Sequence, residues 1–444
     1  MKYPRILVIS NQCLSQSTSN GRSLGCLLEG WPKSCIAQFC LDLQDPDWAL
    51  CDNYFAVSDY DAVKALLLKK IVAKREVASV VSIQRSAEKK IKKSRTAFRM
   101  LLRNFVWSTN AWKKSGFDSW VDDYNPELII FQSGDATFMC NLAKSVSERK
   151  NIPLIVFNTE GYYFFNVTWF HRHWSDFLCF PIYKAIYRAS FRKMMQCVSY
   201  SVYLNSKLQE DYNKEFGDKS AVIYTGSSCK FEPKKFDFEN PRFSYLGNLG
   251  INRPLALIEI AEALYCINKN YHLDVYGKLM QNDEHVFDNC PAIHYCGLVN
   301  YDMVQKVIKE SDVLFHAEST AGQWINTLQY AFSTKIADSL ASGSNFFLYA
   351  PPFLACSKYI IENKVAWYAK DKEHLIPVLR DMLTNDKRRQ QYLDNARMLA
   401  SKNHDSIKNK DRFQKILLTA KFENEKYEDS NNCYYNASRR LLNS

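Results

Sequence analysis

The clearest chemistry in the chain is offered by Lys335, Asp338 and the stretch that carries them. Ser333-Thr334-Lys335-Ile336-Ala337-Asp338-Ser339-Leu340-Ala341-Ser342-Gly343 reads as a short helix closed at both ends. Ser and Thr are preferred N-caps, and Gly is the natural residue just past a helix C-terminus. A helix start presents unpaired backbone N–H groups and the positive end of the dipole, so an anion such as a diphosphate fits there. Lys335 adds a full positive charge in the first turn. Asp338, one turn on, is placed to accept hydrogen bonds from a sugar hydroxyl. An ordinary capped core helix is the competing reading of these residues taken alone.

Two more carboxylates stand at strand ends. Leu128-Ile129-Ile130-Phe131 runs into Gln132-Ser133-Gly134-Asp135, and Leu154-Ile155-Val156-Phe157 into Asn158-Thr159-Glu160-Gly161. Asp135 and Glu160 would then sit at the mouth of one sheet, where either can act as general base for an acceptor hydroxyl. Each can instead cap the helix that follows, and for Asp135 capping is the favoured alternative. Near the N-terminus, Gly21-Arg22 lie in a polar loop after a first strand; they serve either a phosphate or a tight turn, since the glycines miss the dinucleotide fingerprint. The aromatic stretch 162–184, with His171 and His173, suits an acceptor site or packing beneath a loop.

The elements that must position these groups alternate. Strand candidates at 5–10, 126–131, 153–157, 198–202 and 221–224 are separated by helical patterns. After a polar stretch with Pro233 and Pro241 the alternation restarts at Phe243-Ser244-Tyr245-Leu246, and Pro254 stands at the first position of the next helix. Further strands are expected at 272–276, 293–295, 312–315 and 345–349. Strands alternating with helices mean parallel sheets, and 444 residues exceed one core. The expected organisation is an α/β chain of two Rossmann-like doubly wound domains facing across a cleft. Residues 1–229 form the acceptor-binding half, 230–241 a linker, 242–420 the second half, and 421–444 a polar tail.

Hydrophobic residues make up 47% of the chain, yet no run of 18 uncharged apolar residues occurs, which argues against a membrane-spanning helix. The apolar run at the N-terminus is too short for a signal peptide. Fourteen cysteines are scattered without a Cys-x-x-Cys pair, against a zinc site or disulfide framework and in favour of a reduced, cytoplasmic protein. The net charge of +11 is uneven: fifteen Lys or Arg face Glu76 and Glu88 alone between Lys64 and Lys114, leaving about −2 elsewhere. In that segment Ile91, Phe98, Leu102 and Phe105 share a helical face, flanked by Lys92, Arg99 and Arg103, with Trp107 and Trp112 following. An anionic membrane surface is the partner this pattern suits first, then a solvated face; no recognised motif supports nucleic acid.

Five features recur in order: Tyr245-Leu246-Gly247-Asn248-Leu249 with Arg253; Val275-Tyr276-Gly277-Lys278; His294-Tyr295-Cys296-Gly297; Ser311-Asp312-Val313; and the capped helix. In this order and spacing they resemble the nucleotide-binding domain of GT-B glycosyltransferases, particularly family 4, the group 1 glycosyl transferases. The likeness covers about 4–415 and is strongest over 243–350. It implies transfer of a sugar, hexosyl in type, from a nucleotide diphosphate donor to a glycan or lipid-linked acceptor in cell-surface polysaccharide biosynthesis. Carried over, Arg253 and Lys335 neutralise the diphosphate with Ser333 and Thr334. Gly247, Asn248, Gly277 and Lys278 line the nucleotide pocket, and Asp338 takes the place of the second Glu of Glu-x7-Glu, a ribose contact. Two cations and a helix terminus make metal independence the expectation; no cofactor is expected beyond the donor substrate.

The sequence also departs from the pattern. Tyr330 stands where the first Glu of that motif is expected, the second acid is shortened to Asp, and Asn158 aligns with a His often found after the fifth strand. Glu318, at a strand end in the second half, is the candidate to replace the missing acid. Tyr330 and Asn158 recommend as the alternative a catalytically silent subunit that binds sugar nucleotide or a partner transferase; a sugar-nucleotide epimerase of the same architecture is the third reading. The transferase reading adds peripheral docking on the inner face of the cell membrane through 64–114.

Overall fold

The computed structural model describes residues 3–15, 19–41, 46–68, 96–166, 174–280, 283–321, 324 and 328–423. The chain divides into two compact units, one from the N-terminus to Ile223 with the chain from Lys410 onward, the other from Tyr224 to Asn409.

The first unit is built on a seven-stranded parallel sheet in the order β3-β2-β1-β4-β5-β6-β7. Its strands are β1 (Ile6–Ser10), β2 (Ile36–Cys40), β3 (Asn53–Ala56), β4 (Leu128–Gln132), β5 (Leu154–Asn158), β6 (Val198–Tyr203) and β7 (Ser220–Val222). β1, β2, β4 and β5 are buried along their whole length, which is why they read as unbroken apolar runs rather than alternating ones. Described helices are α1 (Ser19–Leu28), α2 (Asp59–Leu68), α3 (Ala97–Ser108), α4 (Phe117–Tyr124), α5 (Thr137–Lys150), α6 (Asp176–Met195) and α7 (Ser206–Phe216). One core packs Ile6, Val8, Leu24, Leu28, Ile130 and Phe157 with Phe413 and Leu417 from a helical run over 406–423 that returns to this unit.

The second unit carries a six-stranded parallel sheet, β10-β9-β8-β11-β12-β13. Here β8 is Phe243–Leu246, β9 Leu273–Tyr276, β10 Ile293–Gly297, β11 Val313–Ala317, β12 Asn345–Tyr349 and β13 Trp367–Ala369. The helices are α8 (Arg253–Ile267), α9 (Tyr301–Glu310), α10 (Thr334–Ala341), α11 (Ala355–Asn363), α12 (Lys372–Thr384) and α13 (Asp386–Asn403). Phe243, Tyr245, Leu257, Leu264 and Phe347 fill one face of the sheet; Ile336, Leu340, Phe346, Leu348 and Tyr359 fill the other.

Several sequence expectations change on folding. Residues 230–241, read as a linker, pack within the second unit: Phe236 joins its core and Arg389 lies over Phe236 and Phe238 at 4.8 and 4.7 Å. The Lys234 ammonium donates to the carbonyls of Ile308 and Ser311 and to Ser344 Oγ, and burial pushes it down to about 8. In the basic segment, residues 69–95 lie outside the described residues, so Ile91 and Lys92 receive no placement. Arg103 turns inward, its Nε donating to Asp59 Oδ1 at 2.7 Å beside Trp107 Nε1 at 2.8 Å. Trp107 and Trp112 are buried, Trp107 stacked on Phe138 at 4.4 Å, so neither waits at a surface for a headgroup. The apolar face of α3 does stay outside: Phe98, Leu102 and Phe105 are exposed. No described helix is long and apolar enough to cross a membrane.

Candidate functional site

In a doubly wound sheet the strand order reverses at one point, and loops leaving the neighbouring strands there splay apart to open a ligand crevice. In the second unit that point lies between β8 and β11, and the two loops leaving it carry Arg253 and Glu318. Arg253 Nε and Nη2 both meet Glu318 Oε2, at 3.0 and 2.8 Å. Glu318 Oε1 faces His316 Nε2 at 3.1 Å. The carboxylate is 1% exposed, yet Arg253 above all, with His316, holds its pKa below the usual range against the opposing effect of burial. It is therefore an ionised group with both oxygens engaged.

Lys335 lies near enough to this pair to feel both of its charges. Ser333, with extended backbone at φ −66° and ψ 134°, caps α10 by accepting the Lys335 backbone N–H at 3.3 Å. Gly343, at φ +81°, ends the helix, and a Cβ there would lie 2.1 Å from the Glu232 carbonyl oxygen, so glycine is required for both reasons. Ser333, Thr334 and Lys335 are half-buried while Ile336 to Ala341 are buried, so the start of α10 is its more accessible end and the rest is core. The Lys335 ammonium makes no salt bridge among the described residues. Burial, then the neighbouring Arg253 charge, pushes it down to about 8. A cation so disfavoured gains from any anion that arrives.

The loop that delivers Arg253 is strained. Ile251 and Asn252 both adopt the left-handed region, φ +61° and +54°, and a β-branched residue there is a true outlier. Asn248 Oδ1 accepts the Gly250 N–H at 2.7 Å and its carbonyl accepts the Tyr245 hydroxyl at 3.0 Å, so Asn248 shapes the turn. A Cβ on Gly277 would lie 2.0 Å from the Gly247 carbonyl oxygen. The close approach these two glycines allow is thus first to each other. Lys278 follows, exposed at the end of β9. Asp338 is buried, and its Oδ1 accepts Ser227 Oγ–H at 2.6 Å, so the position assigned to a ribose contact is already engaged from within the unit. The shorter Asp side chain keeps its carboxylate close to the helix, where Ser227 reaches it. Tyr330 is buried.

In the first unit, Asp135 and Glu160 lie beyond the C-terminal ends of adjacent strands β4 and β5. Asp135 does not sit at the cap of α5: Ala136 holds that position, without a side-chain cap bond. Tyr183 and Tyr187 of α6 reach down to the carbonyls of Asp135 and Gly134, so the loop is tied to the helix above it. Asn158, last residue of β5, is fully buried, and neither side-chain amide atom has a hydrogen-bond partner among the described residues. Gly21 and Arg22 fall inside α1 rather than in a loop. His171 and His173 lie outside the described residues. The chain does hold an Asp-x-Asp spacing, against the expectation of none, at Asp59-Tyr60-Asp61; Asp59 holds Arg103, and Asp61 Oδ2 accepts from Ser58 at 2.7 Å. Sequence reading also missed His316, two residues before Glu318, and Ser227, which only folding brings beside Asp338.

No family model and no curated protein matches the sequence. Solved structures do. The chain is similar to HepE of Anabaena in complex with UDP, at 10% identity over 94% of this chain and 100% of that one, TM-score 0.60. It is similar to a sucrose-phosphate synthase of Thermosynechococcus elongatus, at 10% identity over 94% and 98%, TM-score 0.61. WaaG, a glycosyltransferase involved in lipopolysaccharide biosynthesis, aligns at 13% identity over 92% and 99%, TM-score 0.53. At such identities the likeness is one of fold, and the fold is GT-B.

Proposed function

We propose that the protein is a glycosyltransferase that moves a sugar from a nucleotide diphosphate donor to a glycan or lipid-linked acceptor. One observation carries the reading. At the switch point of the second sheet, a half-buried Lys335, without a salt bridge among the described residues, stands beside an Arg253 fixed by Glu318 at the half-buried start of α10. Charge-assisted bonds to phosphate contribute roughly 1.5–3 kcal/mol each, so two cations and a helix terminus can hold a diphosphate. They also neutralise charge developing on the leaving group, which makes the transfer metal-independent in this reading. Glu318 acts as the positioning residue for Arg253. Gly247, Asn248, Gly277 and Lys278 border the nucleotide, and Asp135 or Glu160 deprotonates the acceptor hydroxyl. That HepE was solved with UDP, and that WaaG is a lipopolysaccharide glycosyltransferase, support a nucleotide-sugar donor and a surface-glycan acceptor.

Membrane docking belongs to the same reading and finds support beyond the basic segment. Next to the exposed Phe98, Leu102 and Phe105 of α3, the start of α6 exposes Phe177, Leu178 and Ile182, with Trp174 just before it. The two helices pack together, and the Ala97 N–H at the head of α3 donates to Asp176 Oδ1 at 2.7 Å.

The test is turnover against a panel of nucleotide sugars with wild-type protein and Lys335→Ala. Release of nucleotide from one donor, lost at least tenfold in the variant, is expected; equal turnover by both would overturn the donor site. Tight nucleotide binding with no turnover on any donor would instead assign a silent binding subunit, the reading that buried Tyr330 at the missing acid favours.

A further inference from the structure

A second cluster of ligating side chains sits at the far edge of the second sheet. β10 is its edge strand, paired among the described residues with β9 alone. In that pairing His294 is the register partner of Asp274, and His272 immediately precedes β9. The buried residues of β9 are Leu273 and Val275, so Asp274 points to the opposite face, where the two imidazoles meet it. His272 Nε2 lies 3.6 Å and His294 Nδ1 3.5 Å from the same Asp274 Oδ1. All three donor atoms fall within 4.8 Å of one another.

Those separations are informative. They are longer than a hydrogen bond prefers, so the imidazoles converge on the carboxylate oxygen without closing on it. Ligands at 2.0–2.1 Å from a tetrahedral zinc ion stand about 3.3 Å apart. The two nitrogen–oxygen distances are close to that edge length, and only the nitrogen–nitrogen gap has to close further. Other exposed His–Asp pairs of this unit differ. His285 Nδ1 and Asp288 Oδ2 close to 2.8 Å, an ordinary hydrogen bond with no third ligand among the described residues. Two imidazoles with one carboxylate select a late first-row divalent cation over magnesium or calcium, whose ligands are oxygens. The exposure of both histidines leaves the remaining positions to water.

We infer that His272, Asp274 and His294 form a binding site for a divalent transition-metal ion of the zinc type, clasping edge strand β10 to β9. The site lies near the N-terminal ends of these strands, and Gly277 is three residues beyond Asp274, about 10 Å along the strand. It therefore stands apart from the loop ends that carry the proposed donor site. Its work is to fix the sheet edge, not to activate substrate. The inference is independent of the transferase reading.

Zinc titration by calorimetry on the untagged full chain, with cobalt absorption as a geometric readout, tests it. One equivalent is expected to bind, with visible cobalt bands of four- or five-coordinate intensity. His294→Ala and Asp274→Asn should each weaken zinc binding at least tenfold and abolish the cobalt bands, while His285→Ala leaves both unchanged. All are exposed or half-exposed positions, and melting in chelator within about 2 °C of wild type checks that the variants fold. Zinc should raise the melting temperature of wild type and of His285→Ala but not of the triad variants. Wild-type affinity in His294→Ala, or an equal loss in His285→Ala, would reduce the binding to scattered surface histidines and overturn the site.

Discussion

Glu318 Oε2 receives both Nε and Nη2 of Arg253, at 3.0 and 2.8 Å, across 65 residues of chain and with side-chain exposures of only 2% and 12%. The pair thus aims the guanidinium while burying a charge that cannot survive alone. Removing one member of a buried pair costs about 3–5 kcal/mol because the other is left desolvated. Arg253→Ala is therefore expected to lower unfolding stability by an amount of that order, read by chemical denaturation of the full chain. Arg253→Met combined with Glu318→Gln should recover most of the loss without restoring nucleotide binding. If Glu318 positions Arg253 and takes no proton itself, Glu318→Gln alone keeps measurable turnover; a loss as deep as that of Lys335→Ala would make it a catalytic group.

Lys335 sets a pH dependence with a defined sign. Burial and Arg253 lower its pKa from 10.5 to about 8, so the charged form that a diphosphate needs prevails below about 8 and fades above it. A bound anion favours the charged form and pulls the pKa back up. Nucleotide affinity measured by calorimetry should then be flat below about 7.5 and fall as pH rises through 8 towards 10, by up to tenfold per unit. Lys335→Arg keeps its charge throughout and should lose that fall, whereas Lys335→Met binds weakly at every pH. For folding the sign is reversed: the unfolded chain holds the proton more tightly, so this group's penalty is full below 8 and is relieved as pH climbs towards 10.5. An affinity that does not change between pH 7 and 10 would remove Lys335 from the site.

What the sequence made legible follows from what is local. β1, β4, β5 and β12 are buried on both faces and announce themselves as apolar runs. The ends of α10 are written in Ser333 and Gly343, because capping depends on residues within one turn. Arg253 and Lys335 could be brought together because both follow strands of a single wound sheet. The pairing of side chains remote in sequence was not legible. Ser227 claims Asp338 across 111 residues, Asp59 claims Arg103 across 44, and Lys234 reaches Ser344 across 110, turning an apparent linker into part of the core. The inward turn of Trp107 had no local signal either, since a helical period says which residues share a face but not what covers it. Ile251 at positive φ defies the residue's own preference, and nothing short of the fold imposes it.

The exposed faces of α3 and α6 make membrane docking measurable. Full burial of a Phe side chain is worth about 1.5–3 kcal/mol, and partial insertion of several gives a strong partition only if charge assists. Phe105→Ser with Phe177→Ser should lower binding to anionic vesicles at least tenfold in co-sedimentation, leaving nucleotide binding unchanged. Raising salt should weaken wild-type binding, since exposed charges are screened beyond about 8 Å at physiological ionic strength. Equal binding of wild type and double variant, or equal binding to neutral vesicles, would exclude this face as the docking surface.

His404 gives the second unit an acid limit. Its Nδ1 faces the Thr225 carbonyl at 2.8 Å and must carry the proton, so Nε2 accepts from the Tyr359 hydroxyl at 2.8 Å. Protonation would turn Nε2 into a donor against a hydroxyl that also takes a hydrogen bond from Asn403 Nδ2 at 3.0 Å. Burial, offset only in part by the Thr225 carbonyl, pushes the imidazole from 6.5 down to about 4. The native state therefore refuses a proton that the unfolded chain accepts, and stability is complete above 6.5 and drains away as pH falls towards 4. The full difference is worth about 3 kcal/mol. Denaturant midpoints at pH 7.5 and 4.5 should show this loss in wild type. His404→Gln, which keeps one donor and one acceptor but cannot be protonated there, starts less stable at pH 7.5 and loses less between the two pH values. Parallel slopes for both proteins would show that other groups govern acid unfolding.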